Sequence, residues 1–108
     1  MTRPFHHPRL EEITLDGLLH ALSDPIRRQI VFNLVGCEGK SCNKTFEGLA
    51  PSTLSFHYKV LRETGLVRSE KKGVEVINFI RKEEIESKFP DLLKKVYQFH
   101  HPTNVKEQ

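Results

Sequence analysis

Cysteines and long apolar runs are scarce in this 108-residue chain, and each shortage argues against a class of protein. No apolar run is long enough to cross a bilayer, and no signal-peptide hydrophobic segment follows Met1. The chain has only two cysteines, Cys37 and Cys42, whereas a secreted disulfide-stabilised domain of this length normally carries more. We therefore expect a cytoplasmic protein that does not insert into a membrane.

The motifs that mark common enzyme classes are missing as well. The sequence contains no Gly-rich phosphate-binding loop, no nucleophile elbow and no closely spaced set of metal ligands. Nothing in it supports a nucleophilic pair between Cys37 and a distant histidine. We therefore expect a binding protein rather than an enzyme.

Length, composition and charge are those of one small globular domain. Apolar residues make up 37% of the chain and charged residues 29%, and the formal net charge is +3. This mild positive charge suits a polyanionic partner, but it fits an ordinary solvated surface equally well. A chain of this size buries only a modest core, so dimerisation would add stability.

Helical periodicity dominates the first third of the sequence. Leucines recur at the spacing of one helical face from about Thr14 onwards. Asp24 and Pro25 then predict the start of a second helix, because Asp is a good N-cap and Pro suits the first helical position. Arg27 and Arg28 fall off the apolar face of this helix.

The second half of the chain combines a longer helix with a β-hairpin. After a polar loop over 37–45 and a short helix around Phe46, a helix is expected over Pro51–Thr64, ended by Gly65. Two β-rich runs follow with a polar, basic segment between them, which is the pattern of a hairpin. The runs are Leu66–Ser69 and Val74–Ile80, and the segment between them is Glu70–Gly73.

A last helical region is predicted from Lys82 to Phe99, interrupted at Pro90. The predicted fold is therefore mainly α with a two-stranded β-hairpin, an α+β architecture. Three helices followed by such a hairpin is the order of a winged helix-turn-helix. We divide the single domain, residues 1–108, into an extended N-terminal arm (1–13), a core (14–99) and a flexible tail (100–108).

One helix presents an unusual outward face. If the apolar residues of the helix predicted over 51–64 point inward, then hydroxyl, aromatic and basic side chains point outward together. Such a face suits the major groove of DNA, although composition alone also fits an ordinary surface helix. The inward residues are Leu54, Tyr58 and Leu61, and the outward ones are Ser52, Ser55, Phe56 and Lys59.

The sequence resembles the ArsR-type winged-helix transcriptional repressors over about residues 15–97. The stretch from Ala21 to Ile30, ALSDPIRRQI, is similar to the second-helix signature of that family. The stretch from Ser52 to Val67, STLSFHYKVLRETGLV, is similar to its recognition helix and exit. The ending Glu84–Leu93 is of a kind seen in some members.

The resemblance implies a homodimer formed through the first and last helices, with two recognition helices reading an imperfect palindrome in double-stranded DNA. The tip of the hairpin, Lys71–Gly73, would form a wing against the flanking DNA backbone or minor groove, with Arg68 in support; the alternative is an ordinary solvated turn. His57 could donate a hydrogen bond to a DNA phosphate, or it could be a residue that packs between helices. The implied DNA contacts are Ser52, Thr53, Ser55, Phe56, His57, Lys59, Lys71 and Lys72.

Two groups of residues are candidate sensors for an inducer. Cys37 and Cys42 flank a glycine-containing loop and could form a redox-active disulfide or part of a soft-metal site; they could equally be unrelated cysteines. The cysteine pair of the family's metal-binding members is absent from residues 43–47. A further hypothesis is a metal ion bound where arm and tail meet, held by His6, His7, His100 and His101; the alternative is that these histidines are exposed and bind nothing.

A second function class stays open at this stage. A winged-helix module can bind another protein and make no DNA contact. Such modules usually carry acidic or apolar recognition faces, whereas this predicted face is basic and rich in hydroxyls. Steep salt dependence of DNA binding would distinguish the two, because phosphate contacts release counterions.

Overall fold

A computed structural model describes residues 5–36 and 48–101, which form an α+β fold. The predicted combination of helices and one two-stranded antiparallel hairpin is confirmed. A short 3-10 helix, Leu10–Glu12, precedes the first α-helix. The helices are α1 (Leu15–Leu22), α2 (Pro25–Val35), α3 (Pro51–Thr64), α4 (Lys82–Lys88) and α5 (Leu92–Phe99), and the strands are β1 (Val67–Lys72) and β2 (Glu75–Ile80).

Side chains next to the helices explain where they begin. The Thr14 hydroxyl accepts a hydrogen bond from the Gly17 N–H at 3.0 Å and caps α1. A carboxylate oxygen of Asp24 accepts from the N–H groups of Ile26 and Arg27, at 2.7 and 3.1 Å, and caps α2. Both caps satisfy N–H groups that lack a partner inside the helix.

The end of α3 depends on a glycine. Gly65 has a φ of +96°, in the left-handed region, and its N–H bonds to the Arg62 carbonyl. A Cβ at this position would lie 2.5 Å from Cγ1 of Ile13. The chain can therefore leave α3 here, packed tightly against the N-terminal segment, only because residue 65 has no side chain.

The core lies where the first three helices meet the base of the hairpin. Leu61 of α3 is fully buried, as predicted, whereas Leu54 and Tyr58 are partly buried at its edge. Burial raises the pKa of the Tyr58 hydroxyl. The largest fully buried side chains are Ile13, Leu18, Ile30, Val31, Leu61, Leu66, Val67 and Ile85.

The hairpin is longer than the sequence suggested. Lys71 and Lys72, predicted in the turn, are the last residues of β1, and Lys72 pairs with Glu75. The turn contains only Gly73 and Val74. Gly73 has a φ of +62° and Val74 a negative φ, the pattern of a type II′ turn, which matches the twist of the strands it joins.

The predicted arm and tail pack against the core where the structure describes them. Pro8 and Ile13 are buried, and the Lys88 ammonium donates to the carbonyls of Leu10 and Ile13 at 3.0 and 2.6 Å. At the other end, the predicted tail begins with His100, which is bonded to α2. Among the described residues, no helix is long and apolar enough to cross a membrane.

Candidate nucleic-acid interface

Five exposed side chains of α3 form a group of hydroxyls, an aromatic ring and a lysine, and the acidic Glu63 is exposed on the same side of the helix. Phe56 is 57% exposed, a large fraction for an aromatic residue, although its ring contacts that of the neighbouring His57, with 6.1 Å between the ring centroids. The group, apart from Thr53, lies on the side of the helix away from Leu61. Its members are Ser52, Thr53, Ser55, Phe56 and Lys59, all of them predicted from the sequence to face outward or to contact DNA.

The N-terminus of α3 adds backbone donors that have no partner among residues 5–36 and 48–101. The first helical hydrogen bond runs from the Leu54 N–H to the Ala50 carbonyl at 3.1 Å. Ala50 has no side-chain acceptor to cap the helix, and Pro51 has no N–H. The N–H groups of Ser52 and Thr53 are therefore directed out of the helix end, where an anion is favoured.

The hairpin supplies two further exposed lysines, with the exposed Glu75 paired opposite Lys72. Lys71 and Lys72 are exposed beside the turn, and Val74 at the tip is 98% exposed. Arg68, predicted in a supporting role, forms an ion pair with Glu70 at 3.0 Å and lies over the Phe79 ring, 4.6 Å from its centroid. Its charge is thus partly compensated within the hairpin.

His57 does not belong to the exposed face. It is only 7% exposed, and its Nδ1 lies 3.2 Å from Nη1 of Arg27. Because a guanidinium can only donate, Nδ1 is the acceptor. Of the two roles that the sequence left open, this position favours packing between α2 and α3, and we leave His57 out of the exposed face.

The sequence placed Arg27 off the apolar face of α2 and did not predict its burial, yet its side chain is only 7% exposed. Its Nε donates to the Ala21 carbonyl at 2.8 Å and its Nη2 to the His20 carbonyl at 3.2 Å. Pro25 has no N–H to give the Ala21 carbonyl its usual helical bond, so the arginine supplies it. Arg27 thus joins the end of α1 to α3 through His57.

Arg28 makes the equivalent connection to α5. Its Nη1 donates to the Leu22 carbonyl at 2.7 Å and its Nε to Nδ1 of His100 at 3.0 Å. Burial, followed by the nearby Arg28 charge, lowers the pKa of His100. The Asp-Pro helix break and the two arginines after it are visible in the sequence, but nothing local to them indicates that Arg27 meets His57 or that Arg28 meets His100.

An apolar surface remains uncovered on α1 and α5. A groove of about 470 Å³ runs between the two helices and is lined in part by Leu19, Leu22 and Val96. These are the two helices predicted to form a dimer interface. The exposed apolar residues on them are Leu15 (46%), Leu19 (48%), Tyr97 (61%) and Phe99 (78%).

The candidate sensor residues are not brought together in the part of the chain that the structure describes. Cys37 and Cys42 lie outside the described residues. Nε2 of His7 bonds to β1, whereas His100 bonds to α2, and His6 and His101 are exposed. Over residues 5–36 and 48–101, no three His, Cys, Asp or Glu side chains gather as metal ligands would.

Comparison with known proteins adds no family assignment. No protein-family model matches the chain, and no curated protein matches its sequence significantly.

Proposed function

We propose that this protein is a winged helix-turn-helix transcription repressor that binds double-stranded DNA as a homodimer. Under this proposal, α3 is the recognition helix and the β1–β2 hairpin is the wing. The observation that carries it is the exposed face of α3, where hydroxyls, an aromatic ring and a lysine lie beside the unpaired N–H groups of the helix end.

Each element of that face has a chemical counterpart in the major groove. Ser and Thr hydroxyls bond to phosphates or base edges, and Lys59 meets a phosphate or a guanine. Phe56 is suited to the methyl group of thymine, a contact that would explain an aromatic ring left in water. The N–H groups of Ser52 and Thr53 fit a phosphate at the edge of the groove.

The positive charges of the wing also support DNA binding. Lys71 and Lys72 extend beyond the core at the end of β1, where they would meet the phosphates that flank the groove. Together with Lys59 they give three phosphate contacts per protomer.

A dimer would place two such faces on one side of the DNA. Two-fold symmetry requires the recognition helices to lie about 34 Å apart, one turn of the duplex, and requires a palindromic operator. The uncovered apolar residues of α1 and α5 suit this interface. Sedimentation should show a dimer for the wild type and a monomer for Leu19→Lys.

Selection of binding sites from a pool of randomised duplex DNA tests the proposal. We expect an enriched palindrome, and for Phe56→Ala a loss of preference at one base pair in each half-site while other positions are retained. The control variant is Lys94→Ala, which removes an exposed lysine from α5 and should leave the site unchanged. A flat pool after selection, with no duplex enriched, would favour the protein-binding module instead.

The affinity for a selected duplex tests how the proposed repressor is released. We propose thiol oxidation or a soft metal at Cys37 and Cys42 as the inducing event. For oxidation, we expect reduced protein to bind the selected duplex more tightly than mildly oxidised protein. The double variant Cys37→Ser, Cys42→Ser should bind equally well under both conditions. Equal binding by wild-type protein in both states would retain the repressor and remove the redox switch.

A further inference from the structure

We propose that residues 5–9 form a clasp that fixes the hairpin to α3, with Phe5 and His7 as positioning residues for the contact of Lys71 and Lys72 with DNA. The consequence for DNA rests on the proposed function. The clasp itself does not, and it can be tested without DNA.

His7 occupies the free edge of the hairpin. Among the described residues β1 pairs only with β2, so its other edge has no strand beside it. The N–H of Ser69, in the middle of β1, donates to Nε2 of His7 at 3.0 Å. The imidazole therefore takes the place of a neighbouring strand at this position.

Ser69 is the point at which three parts of the molecule meet. It is 3% exposed, and its hydroxyl bonds to Oδ1 of Asn78 in β2 at 2.5 Å. Nη1 of Arg62 in α3 donates to the same hydroxyl at 3.5 Å. A single residue of β1 is thus held by the clasp, by β2 and by α3.

The clasp also contacts α3 and the residue that follows β2 at the base of the hairpin. The guanidinium of Arg62 lies over the Phe5 ring, 4.5 Å from its centroid, and the Phe5 and His7 rings meet edge to face. The carbonyl of Pro8 accepts from Nη1 of Arg81 at 2.8 Å, directly after β2. A swing of the hairpin relative to α3 would therefore break contacts at β1 and at the residue that follows β2.

The lysines follow the clasp point closely along β1. Lys71 and Lys72 are two and three residues beyond Ser69, so they lie about 7 and 10 Å further along the strand. The angle of the hairpin at Ser69 consequently sets where their ammonium groups can reach. A clasped hairpin meets DNA already ordered, whereas a loose one must lose conformational freedom on binding.

Amide hydrogen exchange on the free protein tests the clasp. In His7→Ala we expect the Ser69 amide to exchange about tenfold faster, because its hydrogen bond is lost. His7→Gln should restore much of the protection, since its side-chain oxygen can accept the same bond. His6→Ala is the matched control, because His6 is the exposed neighbour of His7. Unchanged Ser69 exchange in His7→Ala would overturn the clasp.

Salt-dependent DNA binding tests the positioning role. His7→Ala should weaken binding three- to tenfold and lower the salt slope towards that of the Lys71→Ala, Lys72→Ala variant. In the background of that double variant, His7→Ala should have no further effect, while in a Lys59→Ala background its effect should persist.

The outcomes separate the clasp from the proposed function. Faster Ser69 exchange with unchanged affinity and salt slope would overturn the positioning role. If the wild-type protein binds no DNA, the proposed function fails and the positioning role with it. The exchange result then still decides whether the clasp exists.

Discussion

Replacing Arg27 by methionine tests whether one buried cation holds α1, α2 and α3 together. Methionine keeps the length of the side chain and removes its donors. Of the three acceptors, the His20 carbonyl keeps two bonds from Ser23 after the change, from the N–H at 3.2 Å and from the hydroxyl at 2.7 Å. The Ala21 carbonyl and Nδ1 of His57 lose their hydrogen bonds from Arg27 and stay buried.

The two acceptors left without a donor determine how far the free energy of unfolding falls. A buried polar group left unsatisfied costs about 1–3 kcal/mol, so the two together cost about 2–6 kcal/mol. Removing a buried guanidinium also removes its desolvation penalty, which offsets part of this loss. We therefore expect the free energy of unfolding to fall by about 2–4 kcal/mol, which lowers Tm by roughly 10–20 °C in a domain of this size.

Arg28→Met is the matched control. Arg28 also bonds to a carbonyl of α1 and to a histidine, but it is only half-buried, so water can replace it. We expect a loss of about 1 kcal/mol. Urea unfolding at one fixed protein concentration measures both variants, because a dimer's stability depends on concentration. Equal losses for the two variants, or no loss for Arg27→Met, would refute the reasoning.

Three further predictions concern stability. Gly65→Ala should cost about 2–4 kcal/mol in thermal unfolding, because the new Cβ would meet Ile13 in a left-handed backbone; an unchanged Tm would contradict this. Asp24→Ala should cost about 1 kcal/mol through loss of the α2 cap, and a neutral result in urea unfolding would count against the cap. Burial, followed by neighbouring positive charge, lowers the pKa of both His7 and His100. Stability should therefore be complete above pH 6.5 and decline as the pH falls below it, since the unfolded chain binds the protons first; urea titrations that show greater stability at pH 5.5 than at 7.5 would oppose this.

The bounds of α3 could be predicted because strong local signals mark them. Pro51 favours the first helical position, and Gly65 supplies the left-handed residue that ends the helix. The outward face followed from the apolar spacing alone. Local pattern was thus sufficient where the determinants lie within a few residues of the element itself.

Contacts between distant residues could not be predicted in the same way. Helical periodicity counts a charged residue as outward, so it could not show that Arg27 is buried against carbonyls of the preceding helix. The bond between His7 and Ser69 spans 62 positions, and nothing local to either residue indicates it. The hairpin bounds were wrong because Lys71 and Lys72 have little β-propensity, while strand pairing up to the Gly73 turn decides the outcome.

The most direct test of the central claim is the salt dependence of binding, measured by fluorescence anisotropy on a duplex enriched from the randomised pool. The account predicts that log K falls linearly with log salt concentration between 50 and 200 mM, with a slope of about −5 for six phosphate contacts per dimer. Lys59→Ala should lower the magnitude of that slope by about 2. An affinity that does not respond to salt or to Lys59→Ala would contradict the account.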